Sequence, residues 1–136
     1  MINNAATALK LTLKDVKIDV SRTGSPVNDD DKGRAALSVQ GKGNVEIELD
    51  GKNELKSGPH RAGLEKNTST STGTLTLKDD NKEAGSLTAT GGEYGAGIGG
   101  QGKNEEFDRP PQVTQELYDA SNITITGGTV NATGGD

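Results

Sequence analysis

Asn28, Asp29, Asp30 and Asp31 are the densest run of metal-type oxygen ligands in this sequence. Calcium takes carboxylates and carbonyls from flexible loops, so Asp29, Asp30 and Asp31 are the candidate metal ligands. The run lacks the alternate spacing and closing Glu of an EF-hand, and it is not a GGxGxD nonapeptide. A solvated acidic loop is the plainer reading. Glu105, Glu106 and Asp108 form a second acidic set with the same shortcoming. Glycan recognition uses a flat aromatic face, and only Tyr94, Phe107 and Tyr118 can supply one. Phe107 and Tyr118 lie in one long insertion, with Arg109-Pro110-Pro111 between them. Tyr94, Phe107, Arg109 and Tyr118 are therefore the candidate ligand-binding residues. Capping of the fold by Leu117, in a helical turn over Gln115–Tyr118, is the plainer role for that insertion.

Other chemistry is poorly supported. His60 is the only histidine, in a Gly-Pro-His-Arg stretch that reads as a surface corner. It has no second His or any Cys to complete a zinc site. Ser and Thr are abundant, yet no GxSxG context surrounds them. GAGIGG at 95–100 has no following helix to receive a phosphate. A polysaccharide lyase needs acids for calcium and basic residues together on one sheet face. The outward faces here are mixed in sign or rich in Thr, so lyase chemistry is the least favoured option.

The elements that must position these residues are short strands. Leu9, Leu11 and Leu13 alternate with Lys10, Thr12 and Lys14, and Val16, Ile18 and Val20 alternate with Lys17 and Asp19. A period of two with one apolar face predicts strands. Ala35, Leu37 and Val39 predict a third. The same order recurs at Val45–Leu49, Leu55 and Ala62–Leu64, then at Leu75–Leu77, Leu87–Ala89 and Ala96–Ile98. A fourth copy starts at Ile123–Ile125 and Val130–Ala132. Length differences fall at 21–33, 67–72, 79–85 and 101–120, where Gly, Pro, Asn and Asp place loops.

Aligning the copies on Leu11, Ile47, Leu75 and Ile123 sets Lys10 beside Glu46 and Lys14 beside Asp50, which neighbours Lys78. Placing Ile18 over Leu55 sets Lys17 beside Glu54 and Asp19 beside Lys56. Opposite charges thus face one another across adjacent copies, as parallel in-register stacking requires. Thr74, Thr76, Thr88, Thr90, Thr124, Thr126, Thr129 and Thr133 point outward in this register, as Thr commonly does on solvent-facing strands.

The expected fold is all-β: a right-handed parallel β-helix of about four short coils, with a long corner insertion at 101–120. An antiparallel sandwich is the alternative, because Gly-Gly and Asp-Gly turns also build hairpins. The chain of 136 residues is expected to form a single domain, 1–136, and to be a fragment of a longer protein. Only 29% of it is hydrophobic, which suits a thin stacked core better than a globular one. A net charge of −5 disfavours nucleic acid as a partner, since phosphate neutralisation needs a basic surface. No cysteine is present, so disulfides and thiolate sites are excluded. No apolar run is long enough to insert in a membrane.

The combination RAGLEKN, TLTL…GSLTATGG, GAGIGG and NITITGGTVNATGG resembles a repeat of large secreted or wall-attached proteins of Gram-positive bacteria. Those are described as surface or adhesin-like proteins, and some relatives as carbohydrate-binding domain proteins of right-handed β-helix form. The resemblance covers nearly the whole chain and departs at 101–120, where a short Gly/Ser-rich link is expected. It implies an extracellular, cell-surface or cell-wall location and a non-enzymatic structural or adhesive role. Expected partners are a host or bacterial surface glycan or protein and the other domains of the parent chain. A carbohydrate-binding module, calcium-assisted, is the alternative. The resemblance carries over no catalytic residue, and no cofactor other than calcium is expected.

Overall fold

The computed structural model describes residues 1–25, 27, 32–81, 84–101 and 120–135. It is all-β, with ten strands and no helix among the described residues. They are β1 (Leu9–Lys14), β2 (Lys17–Asp19), β3 (Leu37–Ser38), β4 (Val45–Lys56), β5 (Leu64–Glu65), β6 (Leu75–Lys78), β7 (Gly85–Thr90), β8 (Ile98–Gly99), β9 (Ile123–Ile125) and β10 (Thr129–Thr133). Every strand pairing is parallel.

Seven strands form one curled sheet in which β4 belongs to two wings. The first half of β4 pairs with β1 and β6, and β9 continues beyond β6. Its second half pairs with β2 and β7, and β10 continues beyond β7. A separate three-stranded sheet runs β3-β5-β8. Asp50-Gly51 is therefore a bend inside one continuous strand rather than a break between two. Gly51 makes it with φ 66, and Asp15 takes φ 52 at the matching bend between β1 and β2.

The expected charge pairs are in register: Lys10 opposite Glu46, Lys14 opposite Asp50, Lys17 opposite Glu54, and Asp19 opposite Lys56. One expectation is corrected. Leu77, not Leu75, lies opposite Ile47, so Lys78 faces Glu48 rather than Asp50. The slip is two residues, which keeps every side chain on its expected face and gives Val45 and Ile47 the partners Leu75 and Leu77. Apolar periodicity fixes inside and outside but is blind to shifts of two.

Alternation buries Val45, Ile47 and Leu49, then Leu55, Leu64, Leu75, Leu77, Leu87 and Ala89 in a single cluster, each at most 1% exposed. Burying one such leucine contributes about 1.5–3 kcal/mol. The core thins toward both chain ends, where Leu9 is 39% and Ile125 50% exposed, because each has packed strands on one side only.

Candidate functional site

Asp29, Asp30, Asp31, Phe107, Arg109 and Tyr118 lie outside the described residues, as do Glu105, Glu106, Asp108 and the turn expected at 115–118. Tyr94 is described. It is half-buried with φ 66, and its ring stacks on His60 at 5.4 Å between centroids. His60 also has a left-handed backbone, φ 68, and its N–H donates to Glu93 O at 2.8 Å. The two rings thus occupy matching corners of successive copies. His60 is a corner residue as expected, but it is fully enclosed rather than on the surface. Tyr94 commits one face of its ring to that packing.

Two clusters that composition did not disclose have defined geometry. The first lies at the bend of β4. Glu48, Asp50 and Asp79 each offer a carboxylate oxygen, and these oxygens lie within 4.8 Å of one another. They sit together because Glu48 and Asp50 project from β4 while Asp79 directly follows β6, its neighbour in the sheet. Protein donors serve the group closely. Asp80 N donates to Glu48 Oε2 at 2.8 Å, Asn81 Nδ2 to Asp50 Oδ1 at 2.8 Å, and Gly85 N to Asp79 Oδ2 at 3.1 Å. Asp79 Oδ1 is buried without a partner among the described residues. Beneath them Asn53, 1% exposed, donates from Nδ2 to Leu13 O, Asp50 O and Ser86 O, all at 3.1 Å. Its Oδ1 accepts from Val16 N at 2.9 Å. One amide therefore ties three successive copies together. Among the described acidic residues, these three lie close enough to share a cation.

The second cluster is a groove of about 530 Å³ on the outer side of the β3-β5-β8 sheet. Leu37 and Leu64 pack inward, so alternation turns their neighbours Ser38 and Glu65 outward to floor it. Thr23, Gly24, Lys32, Gly33, Arg34 and Gln40 complete its sides with Arg61. Glu65 faces outward yet is only 2% exposed. Arg61 covers it, donating from Nη1 to Glu65 Oε2 at 3.0 Å and to Gln101 Oε1 at 2.9 Å. Arg61 Nε donates to Gly33 O at 3.0 Å, and Ala62 N donates to Glu65 Oε1 at 3.2 Å. The guanidinium is thereby fixed on three acceptors, a preorganised arrangement that a lysine could not reproduce.

Two amines carry shifted protonation. Burial pushes the Lys66 ammonium below its usual range. Lys66 is 1% exposed, and its Nζ donates to Ser71 O at 3.1 Å and Ser121 O at 3.0 Å. Hydrogen bonds to Glu46 and Asp80 hold the Lys78 ammonium above its usual range. No family model, curated protein or solved structure matches this chain.

Proposed function

We propose that this chain is a right-handed parallel β-helix segment of a secreted or wall-attached bacterial surface protein, with a structural or adhesive role and no catalysis of its own. The observation that carries this reading is the repeated register. Leu9, Val45, Leu75 and Ile123 form one parallel row, and Ile18, Leu55, Ala89 and Ala132 another. Leu37, Leu64 and Ile98 form a third row on the separate sheet. Three copies visit three rows in the same order and a fourth repeats the first two, which supports a solenoid, a fold whose stability is a sum of neighbour contacts. Such a segment spaces and presents other parts of a longer protein. Deleting residues 120–136 tests it: the preceding copies stay folded by hydrogen exchange, with protection lost only in β6 and β7. Global unfolding of the truncated chain would refute the solenoid.

The second reading is a carbohydrate-binding module, calcium-assisted. What favours it is the polar groove, whose lining has Ala35 as its one apolar side chain longer than glycine. A glycan array run in calcium and again in EDTA separates the two readings. Saturable binding supports the module, and its loss in EDTA or on Phe107→Ala or Tyr118→Ala assigns those groups. A blank array in both buffers leaves the structural role.

A further inference from the structure

The groove differs in charge from the molecule that carries it. The chain has a net charge of −5, while Lys32, Arg34 and Arg61 line the groove against one carboxylate, that of Glu65, among the described residues. Arg61 spends Nε and Nη1 on Gly33, Glu65 and Gln101, which leaves Nη2 without a partner among the described residues. The Arg34 side chain makes no hydrogen bond or ion pair there either, although its backbone N–H is anchored on Thr23 Oγ1 at 2.8 Å. One guanidinium is thus clamped with donors left over, and a second is held at the rim by its backbone. Guanidinium donors in this state match a planar carboxylate. The remaining lining is hydroxyl and amide, from Thr23, Ser38 and Gln40, which suits a polyhydroxylated ligand. No large apolar or aromatic pocket exists among these residues to anchor a peptide side chain.

We infer that this groove binds an acidic saccharide, with Arg61 Nη2 and Arg34 taking its carboxylate and Thr23, Ser38 and Gln40 its hydroxyls. This rests on the carbohydrate-binding reading and adds to it a site and a ligand class. The volume suits one or two sugar rings.

The test is isothermal titration of the full chain with a glucuronate-containing tetrasaccharide, its carboxyl-reduced counterpart, and acetate. The acidic tetrasaccharide binds saturably and loses affinity as salt rises. Arg34→Ala weakens it by about tenfold, the loss expected for one charge-assisted hydrogen bond, while the fold is unchanged by circular dichroism. Arg61→Lys keeps the charge but not the fork and weakens it similarly. Equal binding of the reduced tetrasaccharide would overturn the anionic site and spare the carbohydrate reading. Acetate binding as tightly as the tetrasaccharide would overturn the saccharide part. Tetrasaccharide binding unmoved by Arg34→Ala and Arg61→Lys would place it elsewhere and overturn the assignment. No binding of any saccharide here, with a blank glycan array, would remove both readings.

Discussion

The bend of β4 and the groove over the β3-β5-β8 sheet are built alike and finished differently. Each gathers charged side chains from more than one copy of the repeat. At the bend, three carboxylates meet backbone N–H groups, the Asn81 amide and, below them, Asn53. At the groove, among the described residues, cations outnumber the carboxylate, and guanidinium donors remain after Gly33, Glu65 and Gln101 are served. Closely served polar groups hold a fold together, whereas surplus donors at a concave surface are available to a ligand. The first cluster therefore reads as structural and the second as the binding candidate.

The sharpest way to break this contrast is at the bend. Asn53→Leu removes four hydrogen bonds and leaves carbonyls of three copies without their donor. Loss of a buried group of this kind costs about 3 kcal/mol. Urea unfolding should show a lower midpoint with an unchanged slope. A change under 1 kcal/mol would mean that the bend is not what couples the copies.

At the groove the corresponding change is Arg61→Ala, which leaves the enclosed Glu65 carboxylate uncompensated. Arg61 is 30% exposed at its side chain, so the cost falls below that of a fully buried pair, to about 2 kcal/mol. Arg61→Ala combined with Glu65→Gln should recover much of it, because the stranded charge is then gone. Thermal melts of the single and double variants decide this. A double variant no better than Arg61→Ala would show that Arg61 acts through packing rather than charge.

Most of the fold was legible because alternation carries it. Leu9 to Leu13, Val45 to Leu49 and Leu75 to Leu77 declare inside and outside directly, and the sign changes at Lys10/Glu46 and Lys17/Glu54 declare parallel neighbours. The shift of Leu77 onto Ile47 was not legible, since apolar rows look the same when displaced by two. The candidate site was barely legible. Glu65 reads as a surface charge on a strand, and only the fold brings Arg61, Gln101 and Gly33 around it. Asn53 reads as a turn residue after Asp50-Gly51, and nothing local says that its amide reaches into two other copies. The one signal was the hydrophobic pattern itself: Asn53 and Lys66 fall at inward positions, where an unbroken apolar row would put Leu or Val.

Lys66 marks a third corner and sharpens the comparison, because among the described residues its charge is served by two carbonyls and no carboxylate. Its folded pKa lies below the unfolded value near 10.5. Between the two, the unfolded chain binds more protons, so stability rises with pH through that alkaline window and the cost of the buried charge is fully present below it. Lys66→Met should abolish this rise. Urea titrations of both proteins across the alkaline range read it as a difference in slope against pH. Parallel curves would mean that the ammonium keeps its charge on folding at no cost.

The smallest effect belongs to Lys78, on the open face beside the bend. Its Nζ lies 3.2 Å from Glu46 Oε1 and 3.3 Å from Asp80 Oδ2, with Asp80 68% exposed. Lys78 also faces Glu48 across the strand pair, one member of the carboxylate cluster. Surface pairs of this type contribute little and are screened by salt. Lys78→Met should therefore lower the urea midpoint slightly at low salt and not measurably at high salt. Lys78→Glu should cost more, because it sets like charges opposite one another beside three carboxylates already close together. If Lys78→Glu proves neutral while Asn53→Leu is costly, the outward charges do not hold this register. The inward amide and the apolar rows would then be sufficient to hold the copies in place.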